Sequence, residues 1–325
     1  MRALVCNQYG PPDSLVIETM DTPEPGPDEV LIDVAAAGVN FPDLLIIAGE
    51  YQVKTPPPFV PGAEVAGVAA AVGSNVTHIK VGDRIMGATP GGAFAEQRVM
   101  DARLVAPVPD GMSLQQAAGF LVTYGTSYHA LLQSAALQEG ETLLVLGAAG
   151  GVGIAAVEIG KAMGARVIAA ASSEDKLEFT RQFGADDTIN YSEQSLRDEI
   201  KRLTDGNGVD VVYDPVGGEL SQQALRGLAW QGRLLVVGFA SGTIPEFPAN
   251  LALLKEASIQ GVWWGTWSAK NPALQIQNMQ ALAGLFADGK IKPQVTESYP
   301  LESFQEAFAA ISGRRAKGKV TLTMD

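Results

Sequence analysis

The chain has 325 residues, of which 46% are hydrophobic and 18% are charged; this composition excludes a disordered protein, and the length favours two domains. The net charge of −13 opposes general binding to nucleic acid or anionic membranes, and the single cysteine excludes an internal disulfide and a multi-cysteine zinc site. No stretch offers the roughly 20 apolar residues that a membrane span needs. We therefore expect a cytoplasmic protein with neither a membrane nor a nucleic-acid partner.

Residues 1 to about 110 lack helical periodicity and contain short β-rich runs separated by proline and glycine clusters. Many short strands with turn signals between them predict a compact, barrel-like β domain. One short helix, Pro42–Ala48, is predicted within it. The predicted strands are Ala3–Cys6, Val16–Glu18, Val30–Val34, Val65–Val72, Arg84–Met86 and Arg98–Met100.

The segment Ser113-Leu-Gln-Gln116 has the pattern of a helix capping box, and helical spacing follows it. Thr123–Thr126 predicts a kink or a helix start, and helical spacing resumes from Tyr128 to Leu137. We therefore expect two helical pieces before the next strand.

From Thr142 onward the pattern alternates between strand and helix, which predicts a doubly wound parallel sheet with its ligand at the carboxyl ends of the strands. The predicted strands are Leu143–Leu146, Arg166–Ala171, Asp187–Asn190, Val209–Tyr213, Arg233–Val237 and Ser258–Trp263. The predicted helices are residues 151–163, 174–183, 193–204 and 218–229, with a short turn near 249–256.

After Trp267 the pattern predicts a helix at about 272–287, a strand near Val295, a helix at 301–312 and a last strand, Lys319–Thr323. This tail is too short for a third domain, so we expect it to complete the first one. The prediction is a discontinuous β-rich domain of residues 1–120 and 266–325, and an α/β domain of residues 121–265.

The stretch from Leu143 to Gly153 joins an apolar strand to a helix through a tight glycine turn. The glycines are Gly147, Gly150, Gly151 and Gly153. A helix that begins in such a turn presents backbone N–H groups without intervening side chains, which suits an anion such as a pyrophosphate.

Seven motifs together resemble the medium-chain dehydrogenase/reductase superfamily and, within it, the zinc-free NADPH:quinone oxidoreductase (zeta-crystallin-like) branch. They are Gly38-Val-Asn-Phe-Pro-Asp43, Pro61-Gly-Ala-Glu-Val-Ala-Gly67, Val81-Gly-Asp-Arg84, Gly147–Gly153, Tyr213-Asp-Pro-Val-Gly-Gly218, Val237-Gly-Phe239 and Arg315-Ala-Lys-Gly-Lys319. The resemblance covers essentially the whole chain. It implies an α/β protein in which a GroES-like catalytic domain is split around a Rossmann domain, and a homodimer formed through the edge strand in Ser258–Trp267.

The resemblance also bears on zinc. Zinc-dependent relatives place a cysteine where this chain has Asn40 and a histidine where it has Ala63, although Glu64 remains. A catalytic zinc ion needs three protein ligands, and the two histidines, His78 and His129, lie far apart in sequence. We expect no metal, which leaves hydride reduction of an activated acceptor as the chemistry.

The predicted cofactor is NADPH. Folds that prefer NAD place an acidic residue about 20 residues past the glycine turn, whereas here the strand ends in serines and Ser172 and Lys176 can hold a 2′-phosphate. Tyr191 and Arg315 match further contacts of the family. The predicted cofactor-binding residues are Gly147, Ala149, Gly150, Gly151, Val152, Gly153, Ser172, Lys176, Tyr191, Val216, Gly217, Gly238, Phe239 and Arg315.

Four residues are predicted at the reaction centre: Asn40, Asp43, Tyr51 and Thr123. Asn40 stands in the place of a zinc ligand, Thr123 matches a position near the nicotinamide, and Tyr51 can donate a hydrogen bond or a proton to the oxygen that gains charge. The alternatives are structural: Asn40 caps a helix, Asp43 is a first-turn acid, and Tyr51 is a core aromatic residue. The candidates for lining a flat apolar acceptor pocket are Phe41, Leu45, Tyr51, Phe239, Trp263, Trp264 and Trp267, of which at least Trp263 is assigned to the dimer interface instead.

The leading functional hypothesis is an NADPH-dependent quinone reductase. The first alternative is an NADPH-dependent reductase of α,β-unsaturated carbonyls, either 2-alkenals or enoyl thioesters, which differs in protonation at carbon. The second alternative is an NADPH-binding sensor or structural protein with little turnover.

Overall fold

The computed structural model describes residues 1–324 and divides into two compact units. The first contains Met1–Val122 and the chain from Pro293 onward, and the second contains Thr123–Lys292. The tail therefore returns to the first unit at residue 293, whereas the sequence prediction placed that return at residue 266. Residues 266–292 pack with the α/β unit.

The elements up to the unit boundary are mostly strands, as the sequence predicts. They are β1 (Arg2–Val5), β2 (Val16–Thr19), β3 (Glu29–Val39), α1 (Phe41–Ile47), β4 (Glu64–Val72), β5 (Arg84–Ala88), β6 (Gln97–Asp101), β7 (Val105–Pro107) and α2 (Leu114–Ala118). The three-residue strand β7 was not predicted from the sequence. The capping box before α2 is confirmed, because Gln116 N donates to Ser113 Oγ and Ser113 N donates to Gln116 Oε1.

The rest of the chain alternates between helices and strands. Its elements are α3 (Phe120–His129), β8 (Thr142–Leu146), α4 (Gly151–Ala162), β9 (Arg166–Ala171), α5 (Glu174–Arg181), β10 (Asp187–Asn190), α6 (Leu196–Leu203), β11 (Val209–Asp214), α7 (Gly218–Arg226), β12 (Leu228–Val236), α8 (Ala249–Lys255), β13 (Ser258–Gly261), α9 (Trp264–Lys270), α10 (Pro272–Ala287), β14 (Val295–Pro300), α11 (Phe304–Ser312) and β15 (Lys319–Thr323). A π-helical turn, Ala130–Ser134, extends α3.

The first unit is built on a seven-stranded sheet in the order β14-β15-β3-β4-β5-β7, with β6 also paired to β3. The long strand β3 is its centre, and β15 pairs with it antiparallel so that Val320 lies opposite Val39. On the other side β4 pairs with β3 and places Glu64 opposite Gly38. The register therefore gathers residues from three distant parts of the chain at the end of β3.

The second unit contains a parallel sheet in the order β10-β9-β8-β11-β12-β13, which confirms the doubly wound Rossmann architecture. Leu143 to Leu146 in β8 are fully buried, as a strand covered on both faces requires. The strand order reverses between β8 and β11, and in such sheets ligands bind beyond the carboxyl ends of the strands at that point.

Two local predictions were wrong. Thr123–Thr126 is neither a kink nor a helix start, since it lies inside the continuous helix α3. The strand predicted at Ser258–Trp263 stops at Gly261, and a helix follows from Trp264. Side-chain packing explains that helix, because the Trp267 ring stacks on His129 with centroids 4.0 Å apart, and Trp264 Nε1 donates to Gln275 Oε1 at 3.1 Å.

Within residues 1–324, no helix is both long enough and apolar enough to cross a membrane.

Candidate functional site

The glycines of the turn between β8 and α4 contribute unequally to its shape. Gly147 has φ +57, and a Cβ atom on Gly153 would lie 2.3 Å from Gly147 O, so both positions require glycine for the backbone to close. Gly150 has an ordinary φ of −76, and a Cβ atom there would meet only Gly147 O, at 3.4 Å. Packing within the fold therefore does not require a glycine at position 150, and the space beside it is open.

The N-terminus of α4 follows directly on this turn. Among residues 1–324 no side chain caps this helix, and its first turn contains no acidic residue. The turn after β11 differs, because its backbone N–H groups already bind a carboxylate. Asp214 Oδ1 accepts from Val216 N at 2.8 Å and from Gly217 N at 2.9 Å. The unfilled positive end of α4 suits an external anion, such as the diphosphate of a dinucleotide.

Three of the predicted phosphate-binding residues come together at the ends of β9 and β10. Lys176 Nζ lies 3.2 Å from Ser172 Oγ, and Tyr191 N donates to Ala171 O at 3.1 Å, which places Tyr191 beside the same strand end. Glu174, the acidic residue that follows Ser172 and Ser173 in the sequence, is bonded elsewhere, because its carboxylate accepts from Arg181 Nη1 at 2.6 Å. The fourth, Arg315, belongs to the other unit, between α11 and β15.

The remaining cofactor residues of the second unit surround the glycine turn. A Cβ atom on Gly147 would lie 2.9 Å from Val216 Cγ2, and one on Gly217 would lie 3.1 Å from Phe239 Cδ1. Gly238 is open, because a Cβ atom there would meet nothing closer than Pro215 O at 3.4 Å. The ends of β8, β11 and β12 therefore lie side by side at the reversal of strand order.

Two of the predicted reaction-centre residues, Asn40 and Asp43, belong to a buried cluster in the first unit. Lys319 Nζ lies 2.5 Å from Asn40 Oδ1 and 2.5 Å from Glu64 Oε1. Asn40 Nδ2 donates to Glu64 Oε1 at 3.0 Å, and Val122 N donates to Glu64 Oε2 at 3.0 Å. We call Asn40, Glu64, Lys319 and Asp43 the Asn40 cluster.

Room for the lysine in this cluster comes from two glycines. A Cβ atom on Gly38 would lie 2.3 Å from Ala118 O, 2.5 Å from Glu64 Oε1 and 2.8 Å from Lys319 Cε. One on Gly119 would lie 2.5 Å from Lys319 Cγ. The absence of these side chains lets Lys319 reach inward, where its side chain is 6% exposed and that of Glu64 is 1% exposed.

Asp43 occupies the first turn of α1 below Asn40. Its Oδ2 accepts from Asn40 N at 2.8 Å, which is one half of a capping box, while its buried Oδ1 has no hydrogen-bond partner among residues 1–324. Burial raises the pKa of Asp43 to about 7, although the Asn40 N–H group and the charge of Lys319 oppose the rise. The carboxyl group therefore titrates near neutral pH.

The other two predicted reaction-centre residues lie outside this cluster. Tyr51 follows α1 in the first unit, where it is half-buried and its N–H group donates to Leu45 O at 3.1 Å. Thr123 is buried in α3 and belongs to the second unit. Their predicted roles stay predictions.

Comparison with known proteins gives matches along the whole chain. The sequence model of the alcohol dehydrogenase GroES-like domain matches residues 26–110, and that of the zinc-binding dehydrogenases matches residues 151–280. A quinone oxidoreductase-like protein 2 homolog from Nematostella vectensis is 40% identical over 325 residues, which cover 99% of this chain and 88% of that protein. The chain belongs to the quinone oxidoreductase family of medium-chain dehydrogenases/reductases. It is therefore an oxidoreductase.

Solved structures of this family agree with the fold. Escherichia coli quinone oxidoreductase complexed with NADPH superposes with a TM-score of 0.92 at 29% identity, covering 100% of both chains. The CurK enoyl reductase superposes with a TM-score of 0.90 at 30% identity, covering 100% of this chain and 99% of that one.

The name of the matching dehydrogenase model raises the question of zinc, and the residues present do not fit that ion. Asn40 and Ala63 stand where zinc-dependent relatives have a cysteine and a histidine. Among residues 1–324, no group of three or more His, Cys, Asp or Glu side chains is arranged to hold a metal. The ammonium group of Lys319 already lies between Asn40 and Glu64, and a second cation there would be repelled.

Lys319 is the functional candidate that sequence reasoning missed. It ends the matched motif Arg315–Lys319, but a lysine at the start of a strand carries no sequence signal of burial. Only the pairing of β15 with β3 brings it to Asn40.

Proposed function

We propose that this enzyme oxidises NADPH and transfers its hydride to a quinone, without a metal ion. The observation that carries the proposal is the N-terminus of α4, where Gly150 leaves open space and, within residues 1–324, no side chain caps the helix. The complex of the Escherichia coli relative with NADPH supports the same cofactor.

The residues that would hold NADPH belong to two neighbouring parts of the second unit. The turn from Gly147 to Gly153 binds the diphosphate through backbone N–H groups, and Ser172, Lys176 and Tyr191 bind the 2′-phosphate. The other predicted cofactor residues (Val216, Gly217, Gly238 and Phe239) border the turn, and Arg315 is proposed as a further phosphate contact. When bound, the nicotinamide supplies the hydride.

The acceptor is proposed to meet the Asn40 cluster, Tyr51 and Thr123. A quinone gains negative charge on oxygen as it accepts hydride, so fixed hydrogen-bond donors and a nearby positive charge stabilise the transition state. Because Lys319 is paired with Glu64, the Asn40 cluster is proposed to act through the Asn40 side chain, and Tyr51 is proposed to donate to the developing oxyanion. Asp43, whose pKa is about 7, can hold a proton at neutral pH.

A second candidate is reduction of an enone or enoyl thioester, which the likeness to the CurK enoyl reductase favours. That reaction also begins with hydride transfer but requires a proton at carbon. A coenzyme A ester would need basic residues at the entrance to its site, and near Tyr51 the chain offers only Lys54, which donates to Gly49 O. We therefore favour the quinone.

The test is a steady-state screen of NADPH oxidation with 1,4-benzoquinone, 9,10-phenanthrenequinone, a 2-alkenal and an enoyl-CoA ester. We expect kcat/KM to be highest with a quinone. A preference for an alkenal or a thioester would transfer the assignment to the second candidate. Tight NADPH binding without turnover on any acceptor would instead support a sensor or structural role. The homodimer and the cytoplasmic location stay predictions.

A further inference from the structure

We propose that Lys319 is the positioning residue of the Asn40 cluster, and that its ammonium group, together with Glu64, orients the Asn40 side chain. The inference rests on the proposed reductase function. It assigns Lys319 no direct bond to the substrate, since its role acts through the Asn40 carboxamide.

The orientation of that carboxamide depends on its hydrogen-bond partners. An asparagine side chain can turn by about 180° and exchange its oxygen with its nitrogen, so only its partners fix which atom points where. An ammonium group can only donate and a carboxylate can only accept. Lys319 Nζ therefore selects Asn40 Oδ1 at 2.5 Å, and Glu64 Oε1 selects Asn40 Nδ2 at 3.0 Å. Both partners specify the same orientation.

Stability alone does not explain the ion pair between Lys319 and Glu64. Lys319 and Glu64 are almost fully buried, and the desolvation of two such charges can exceed their attraction, so an apolar pair of similar volume is often as stable. The pair also requires Gly38 and Gly119 to lack side chains. A costly arrangement that fixes one orientation of a neighbouring amide is best explained by positioning.

The cluster lies at the N-terminus of helix α1. Asn40 is the N-cap residue of α1, and the Asp43 carboxylate holds its backbone N–H group at 2.8 Å. Backbone and side chain of Asn40 are thus fixed from different directions, by Asp43 and by Lys319 with Glu64.

A double-mutant cycle separates positioning from charge balance. Lys319→Met leaves the Glu64 carboxylate buried without its cation, Glu64→Gln leaves the ammonium group without its anion, and the double variant leaves neither charge. In the double variant the introduced glutamine side chain can donate as well as accept, so the wild-type orientation of Asn40 is favoured only by the longer bond from Asn40 Nδ2 to Gly38 O, at 3.3 Å. Lys80→Met, at an exposed lysine of the same unit, is the matched control.

We expect Lys319→Met to lower both the melting temperature and kcat, the latter roughly 100-fold, with the KM for NADPH changed less than about twofold. In the double variant the melting temperature should return close to that of the wild type, while kcat stays low. Recovery of kcat together with the melting temperature would overturn the proposal, as would a normal kcat in Lys319→Met.

A readout that needs no turnover completes the test. The side-chain ¹⁵NH₂ signals of Asn40, assigned by their loss in Asn40→Asp, should be sharp and protected from solvent exchange in the wild type and broadened in the double variant. Unchanged signals there would also refute the positioning role. If the wild type reduces no acceptor, the proposed function fails, and these signals still decide the role of Lys319.

Discussion

The two candidate regions, one in each unit, are built in opposite ways. The dinucleotide turn is one continuous stretch of backbone between β8 and α4. Its important feature is the open space beside Gly150, which no side chain of residues 1–324 fills. The Asn40 cluster consists of side chains from residues 40, 43, 64 and 319, packed so closely that two neighbouring glycines cannot carry a Cβ atom. The first site is therefore vulnerable to added atoms, and the second to altered charge.

Two buried carboxylates, one in each unit, also differ in the partners that they bind. Glu64 in the first unit is paired with a cation, whereas Glu158 in α4 accepts from the neutral Tyr124 hydroxyl at 2.5 Å and from Lys292 N at 2.8 Å. Burial raises the pKa of Glu158 to about 7 despite these hydrogen bonds. Neutral hydrogen bonds thus hold a carboxyl group in place but do not compensate for the loss of hydration.

The largest effect is expected from Gly150→Val. Valine can adopt the backbone angles of Gly150, so the fold should survive, but its side chain fills the space proposed for the diphosphate. We expect NADPH to bind at least roughly 100-fold more weakly, a loss of ~2.7 kcal/mol, in titrations followed by fluorescence or calorimetry. The melting temperature without cofactor should change little.

Two further glycines provide controls for that variant. Gly153→Val should lower the melting temperature itself, because its side chain would collide with Gly147 O. Gly284→Val, in α10 where a Cβ atom meets nothing within 4 Å, should leave binding and stability unchanged. Normal NADPH affinity in Gly150→Val would remove the turn from the cofactor site.

A smaller effect is expected from Glu158→Gln, read as the pH dependence of stability. The folded pKa of about 7 lies above the unfolded value of about 4.3, so the folded wild type loses stability as pH rises from about 5 to 7 and levels off above that. Glutamine accepts from Lys292 N, can donate to the Tyr124 oxygen, and does not ionise. The variant should gain about 2 kcal/mol relative to the wild type between pH 5 and pH 8.

Denaturant unfolding of both proteins across this pH range is the measurement for Glu158→Gln. Asp43 titrates in the same range in both proteins, and its contribution cancels in the difference. A difference that does not change with pH would mean that Glu158 is ionised throughout the range.

The smallest effect is expected from Lys176→Ala, which removes the cation beside Ser172. The KM for NADPH should rise about tenfold, equivalent to ~1.4 kcal/mol, while the KM for NADH changes little because NADH lacks the 2′-phosphate. Lys201→Ala, at an exposed lysine of α6, is the control. Equal losses for both cofactors would refute the phosphate assignment.

The difference between the two sites explains what the sequence could predict. The glycine turn was readable because its strand, glycines and helix follow one another within residues 143–163. The missing zinc ligands at Asn40 and Ala63 were readable by resemblance. Lys319 was not, because its position depends on a strand pairing between residues that lie almost 280 apart in sequence.

The errors in secondary structure have a similar origin. Trp263 and Trp264 favour a strand by local propensity, but the chain turns into α9, where Trp264 bonds to Gln275 and Trp267 stacks on His129. Thr123–Thr126 contains a glycine that favours a break, yet α3 continues through Gly125, against which the Trp264 ring packs. Tertiary packing overrides local preference in both segments.

The most direct test of the account is the rate of NADPH oxidation with 9,10-phenanthrenequinone before and after exhaustive treatment of the protein with a zinc chelator. A charged Asn40 cluster in place of a metal predicts the same rate in both samples, with no gain when zinc is added back. A rate lost on chelation and restored by zinc, or no NADPH oxidation in either sample, would contradict it.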